Sequence, residues 1–99
     1  MNIPTMAFSL DSKFKLADSV FASDVEQDKV ILSLKNGSYY GLEELGSRIW
    51  DLLQQNKSSA EIRDTIVEEY EVEKEECERD LQGLLQELIE AELIEVANE

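Results

Sequence analysis

At Leu42 the hydrophobic repeat of this chain changes period, and that change limits the possible folds more than any other feature. Before it, short alternating runs recur: Lys13-Phe14-Lys15-Leu16, Val20 to Val25, and Lys29 to Leu34, where Val30, Leu32 and Leu34 share one face and Ile31 and Ser33 the other. A repeat of two is that of a β-strand, whose successive side chains point to opposite sides. Asn36-Gly37 follows, the pair that best tolerates the two positive φ angles of a tight type I′ turn. Ser38-Tyr39-Tyr40-Gly41-Leu42 is therefore predicted to return as the second arm of a hairpin.

Beyond Leu42 the repeat is helical. Leu42, Leu45, Ile49, Leu52 and Leu53 fall on one stripe with Gly46 and Trp50 beside it, which predicts a helix from about Glu43 to Gln55. A glycine inside a helix costs about 1 kcal/mol relative to alanine, so Gly46 points to a close approach of another backbone or to a merely tolerated glycine. Ser58-Ser59-Ala60-Glu61 has capping-box spacing, so a second helix starts at Ser59, with Ile62, Ile66 and Tyr70 inward. Glu71-Val72-Glu73 interrupts it, and a third helix runs from about Lys74 to Ala91. On that helix Cys77, Leu81, Leu84, Leu85 and Leu88 cluster on one side, while Arg79, Gln82, Gln86 and Glu90 lie opposite. Leu93, Ile94 and Val96 either extend it or form a short terminal strand.

These elements predict an α+β fold: a small antiparallel N-terminal sheet of three strands followed by three helices, in a winged helix-turn-helix-like order. Residues 1–11, which lack a sustained period, are expected to form a flexible arm, and 12–99 a single recognition domain.

Charge and composition narrow the chemistry. The formal charge is −14, and it is uneven: residues 1–60 hold eight acids and six bases (net −2), whereas 61–99 hold fifteen acids and three bases (net −12). Such a surface repels phosphate backbones and anionic membranes, so nucleic acid and membrane are poor partners and neither is expected. The acidity serves solubility or steers a cationic partner. Histidine is absent, which removes the usual base for Cys77 or any serine, and Cys77 lies at the centre of an apolar stripe, where a core role is expected. The lone cysteine, with no apolar run near the ~20 residues of a membrane helix and no signal segment, points to the cytoplasm. No glycine-rich phosphate loop, zinc spacing or calcium loop is present, so no cofactor, metal or catalytic residue is expected.

Recognition remains. The last strand of such a sheet, Ser38 to Leu42, lies at an edge and presents unpaired N–H and C=O groups to an incoming strand. Tyr39 and Tyr40 point to opposite faces, so one packs against the helices and the other is exposed. The third helix, with Leu84 bordered by Asp80 and Glu87, suits the opposite wall of a groove, and an acidic rim would favour peptides carrying Lys or Arg. The candidate peptide-binding residues are thus Ser38, Tyr39, Tyr40, Gly41, Leu42, Asp80, Leu84 and Glu87.

The runs Gly37-Ser38-Tyr39-Tyr40-Gly41-Leu42 and Gly46-Ser47-Arg48-Ile49-Trp50-Asp51-Leu52-Leu53 resemble the signature of PqqD-like proteins. These are also called RiPP recognition elements, after the ribosomally synthesised and post-translationally modified peptides they serve. Ser59-Ala60-Glu61-Ile62, Glu69-Tyr70-Glu71-Val72, Asp80-Leu81 and Leu88-Ile89-Glu90-Ala91-Glu92-Leu93-Ile94 continue the likeness, which spans roughly residues 21–96. Ala22-Ser23-Asp24 and Leu32-Ser33-Leu34-Lys35-Asn36-Gly37 look most similar to stand-alone lasso-peptide recognition proteins.

The resemblance implies a winged helix-turn-helix-like fold that captures the leader of a precursor peptide as a strand beside Ser38 to Leu42, with the third helix as the other wall. It implies a non-catalytic adaptor whose partners are the precursor (leader) peptide and either a leader peptidase with an ATP-dependent cyclase, the macrolactam synthetase of lasso pathways, or a radical SAM enzyme in quinone-cofactor or other modified-peptide biosynthesis. Two positions depart from the family pattern: Glu43 replaces a better helix N-cap, and Glu92 stands where a glycine is usual. A winged-helix transcription regulator is the reading from another class, but Glu75, Glu76, Glu78 and Asp80 on the third helix would meet phosphates with the wrong charge. A structural subunit that docks a folded protein in the same groove is a third reading.

Overall fold

The computed structural model describes residues 11–97. The chain runs β1 (Lys13–Leu16), β2 (Val20–Val25), β3 (Asp28–Ser33), β4 (Tyr39–Leu42), α1 (Glu44–Gln54), α2 (Ser59–Tyr70), α3 (Lys74–Glu90) and β5 (Ile94–Ala97). Strands β2, β3 and β4 make an antiparallel sheet in chain order, and the three helices follow, as the change of period predicts. The arm expected over residues 1–11 lies, apart from Asp11, outside the described residues.

Strand β1 does not join that sheet. It pairs antiparallel with β5, from Lys13 opposite Ala97 to Leu16 opposite Ile94, so the first and last described strands form a separate ribbon. This settles the open choice at Leu93 to Val96 in favour of a strand. A Schellman motif turns the chain out of α3: the N–H of Leu93 donates to Leu88 C=O and that of Glu92 to Ile89 C=O, both at 2.9 Å. Glu92 sits at φ +62°, the left-handed conformation that glycine adopts without strain, so this departure from the family pattern keeps the turn and pays a side-chain penalty.

The hairpin between β3 and β4 forms, but not through a type I′ turn. Of the Asn36-Gly37 pair only Gly37 has a positive φ, +72°. The loop spans four residues, 34–37, inside the pair in which Ser33 N–H donates to Ser38 C=O (2.9 Å). Gly37 N–H returns to Ser33 C=O (2.9 Å), and the Asn36 side-chain oxygen accepts from Ser38 N–H (3.1 Å) and Ser38 Oγ (2.6 Å). An asparagine whose carbonyl can hold the backbone two residues on favours this longer Asx-type closure over two successive positive φ angles.

The core lies between the inner face of the three-stranded sheet, the β1–β5 ribbon and the helices. Ile31, Trp50, Ile62, Leu85 and Leu88 are fully enclosed within it. The inner face of β3 is the polar-looking one: Lys29, Ile31 and Ser33 are buried, while Val30, Leu32 and Leu34 face outward with Phe21 and Val25 of β2. Buried Lys29 is tolerable because its ammonium bonds Asp24 across the strand pair and lies 3.4 Å from Asp51 of α1. The Asp24 bond, reinforced by Asp51, raises its pKa above the usual lysine value although burial works against it.

Helix α2 begins with the predicted capping box: Ser58 Oγ accepts from Glu61 N–H (3.2 Å), and the Glu61 carboxylate accepts from Ser58 N–H (2.8 Å). Arg63, buried at the α2–α3 contact between Asp64 and Glu78, is a core residue that periodicity does not mark. Arg48 joins α1 to α2 through a two-pronged contact with Glu69 at 2.9 and 2.8 Å.

Candidate functional site

Which backbone groups of β4 are free follows from the phase of its pairing. Antiparallel neighbours alternate between hydrogen-bonded and non-bonded pairs. Since Ser33 N–H bonds Ser38 C=O, the bonded series continues through Ile31–Tyr40 and Lys29–Leu42. The N–H and C=O of Tyr39 and Gly41 therefore point away from β3, to an edge on which no strand of the described residues lies.

That edge opens on a groove. A cavity of about 420 Å³ lies between β4, the start of α1 and the side of α3 that carries Cys77, Leu81 and Leu84. Leu42, Ile49, Ile66, Cys77 and Leu81 form its floor, Leu45, Val72 and Leu84 its apolar sides, and Glu43, Glu76 and Asp80 its acidic rim. The floor is buried core, so the site is a cleft in the packing between sheet and helices. A loose loop plays no part in shaping it.

Of the eight candidate residues, Tyr40, Gly41, Leu42, Asp80 and Leu84 line this groove. Glu87 stands at its end, where its carboxylate accepts a hydrogen bond from the Tyr40 hydroxyl and ties β4 to α3. That bond, with burial second, pushes the Tyr40 phenol up to about 12. Tyr39 is 76% exposed and lies on the other face of the sheet, so its outward N–H and C=O face the edge while its ring does not line the groove. Ser38 belongs to the turn: its hydroxyl and N–H bond Asn36, its carbonyl bonds β3, and it leaves no free edge group.

Apart from Glu76, nothing in the sequence pattern marks the remaining lining residues as part of a groove. Leu45, assigned by periodicity to the core stripe, is exposed at the groove because the first turn of α1 projects past the packed interior. The signal for Glu76 was present: it lies four residues before Asp80, on the same side of α3. Gly46 makes a close approach, but to the Leu42 side chain rather than a backbone; a Cβ there would meet Leu42 Cδ2 at 3.1 Å. Glu43 caps α1 without a side-chain bond; the helix start is tied to β4 instead by Ser47, whose hydroxyl donates to Leu42 C=O (3.1 Å) while its N–H makes the first intrahelical bond to Glu43 C=O (2.7 Å). Cys77 is buried beneath the groove, and that burial pushes its thiol up, away from the reactive thiolate. Among the described residues no group of three or more acidic or sulfur side chains gathers as metal ligands, and no helix is long and apolar enough to cross a membrane.

A free strand edge opening on an apolar cleft with a helical far wall is the geometry of a recognition domain. The chain belongs to the PqqD family: the model for coenzyme PQQ synthesis protein D matches residues 28–94. Like that class of recognition elements, it is non-catalytic. Two solved structures are similar along most of their length. TbiB1, in complex with the TbiA(beta) leader peptide, is 40% identical with a TM-score of 0.80, over 86% of this chain and 99% of that one. A lasso peptide synthetase B1 complexed with the leader peptide is 26% identical with a TM-score of 0.78, over 84% and 98%. No curated protein matches the sequence.

Proposed function

We propose that residues 12–99 act as one leader-peptide recognition domain, capturing a precursor peptide as a fourth strand beside β4 and presenting it to modifying enzymes in the cytoplasm. The observation that carries this reading is the outward N–H and C=O of Tyr39 and Gly41 beside the apolar groove under α3. Main-chain bonds supply part of the affinity, and the pocket between Leu42, Leu45 and Leu84 selects an apolar side chain on the incoming strand. Tyr39, Tyr40, Gly41 and Leu42 hold the peptide from one side and Asp80 and Leu84 from the other, with Glu87 fixing Tyr40. Both similar structures hold leader peptides, which supports the same class of ligand here.

The pathway we favour makes a lasso peptide, with a separate leader peptidase and an ATP-dependent cyclase as partners; the name of the second similar structure supports it. The alternative is a peptide chaperone for a radical SAM enzyme, in line with the coenzyme PQQ description of the family model.

The test is fluorescence anisotropy with a labelled leader taken from the precursor encoded beside this gene, against a scrambled control. Saturable binding of the true leader alone, at micromolar Kd or about −8 kcal/mol, is expected. Equal binding of the scrambled peptide would reject the reading. Adding candidate partner enzymes in turn separates the pathways: in a lasso pathway the protein accelerates leader cleavage by its peptidase.

A further inference from the structure

The ion pairs of this protein are distributed unevenly around the groove. Lys29 is matched to Asp24 and Asp51, Arg48 to Glu69, Arg63 to Asp64 and Glu78, and Lys15 to Glu95, all at positions that do not line the cleft. Glu43, Glu76 and Asp80, which do line it, carry no side-chain hydrogen bond or ion pair among the described residues, and no Lys or Arg lines the cleft with them. Arg79, the one base between Glu75 and Glu90, is not among the lining residues. Three unmatched carboxylates thus surround an apolar cavity beside a free strand edge.

We infer, resting on the groove reading above, that the strand accepted by β4 carries Lys or Arg next to its apolar anchor, and that Glu43, Glu76 and Asp80 hold those cations. The spacing fits. Glu76 and Asp80 stand one helical turn apart, about 6 Å along α3, and same-face residues of an extended strand recur every ~6.7 Å. A strand along the groove can therefore set cations at two positions, i and i+2, beside these two acids. The long aliphatic stem of Lys or Arg lies on Leu81 and Leu84 while its charged end reaches the rim, which lets one side chain use both the floor and the acids. Glu87 is not counted with them because it does not line the cleft, and one of its oxygens holds the Tyr40 hydroxyl. The neutral alternative, a leader without cations there, leaves the acids solvated but gains nothing from them. Charge therefore discriminates between leaders that share an apolar anchor.

The experiment measures Kd by anisotropy for three proteins and two probes. The proteins are wild type, the triple variant Glu43→Gln, Glu76→Gln, Asp80→Asn, and Gly41→Pro. The probes are the labelled leader of the neighbouring precursor and the same peptide with every Lys and Arg replaced by Gln. Expected is a loss of about ten-fold in affinity for the triple variant at ~50 mM NaCl, and a wild-type affinity that falls by a similar factor on going to ~500 mM. The Gln-substituted peptide binds wild type and triple variant alike, so the two losses do not add.

A triple variant that binds the native leader as tightly as wild type, with the same salt dependence, overturns the charge inference. If Gly41→Pro still weakens binding in that case, the strand-addition reading survives alone. If neither variant nor salt changes a wild-type interaction, or wild type binds no leader, the groove reading falls and the charge inference with it. Circular dichroism of each variant separates lost contacts from lost fold.

Discussion

Among the described residues the three-stranded sheet has two edges without a neighbouring strand, β2 and β4, and only one of them borders the candidate site. On β2 the phase is set by Leu34 N–H donating to Ser19 C=O (2.9 Å), so Val20, Ala22 and Asp24 turn their N–H and C=O outward, as Tyr39 and Gly41 do on β4. Both edges thus offer main-chain bonding. The difference is what stands beside them. Next to β4, α3 supplies an apolar wall and closes a cleft of about 420 Å³; the described residues form no comparable wall beside β2, whose edge carries Asp24, a largely exposed charge paired with Lys29. A charged side chain on an edge strand is a known obstacle to adventitious pairing. Unpaired backbone is necessary for strand capture, and the neighbouring apolar wall makes it selective.

The largest effect is expected from removing the wall's anchorage. Leu85→Ala opens a cavity under α3, where Leu85 is fully buried, and should cost about 2–5 kcal/mol in chemical denaturation, with leader binding lost as α3 loosens. A smaller loss would mean that the wall is held by contacts other than its core face.

Paired proline substitutions break the comparison itself. Gly41→Pro removes an outward N–H on β4, where a Cβ meets nothing within 4 Å, and should weaken leader binding by about ten-fold, close to one hydrogen bond. Ala22→Pro removes the matching N–H on β2 and should leave affinity unchanged. Equal losses at both positions would show that the two edges do not differ as described.

Leu84→Ala tests the wall without touching the core, since Leu84 is only half-buried and lines the groove. It should lower leader affinity roughly five-fold, about 1 kcal/mol, with little change in the denaturation midpoint. The smallest effect is a gain: Glu92→Gly relieves the positive φ at the end of α3 and should raise stability by about 0.5–1 kcal/mol while leader affinity stays constant. A change in affinity with that variant would link the β1–β5 ribbon to the groove.

Much of this architecture was legible before any coordinates, wherever the cause was local. The capping box at Ser58 and Glu61, the helical stripe of α3 and the return of the chain at Asn36-Gly37 each depend on residues within a few positions of one another. Legibility failed where two solutions had similar local cost. The turn closes through the Asn36 side chain instead of two positive φ angles, and Leu45 on the α1 stripe faces the groove rather than the core. β3 is the instructive case. Its more apolar face, Val30, Leu32 and Leu34, is turned outward, while Lys29 and Ser33 are buried. Hydrophobicity alone would choose the opposite orientation; the buried ammonium is held by Asp24 and by Asp51, a partner on another element.

By itself, then, the sequence determined the order of strands and helices, the acidic character of α3, the resemblance to leader-binding proteins and the edge position of β4, because propensity, periodicity and motif are properties of neighbouring residues. Tertiary structure alone decided which face of β3 is core, that β1 joins β5, and that Glu43, Leu45, Glu76 and Asp80 meet around one cleft. Those outcomes turn on burial and charge pairing between residues distant along the chain, whose energies exist only once the elements have packed.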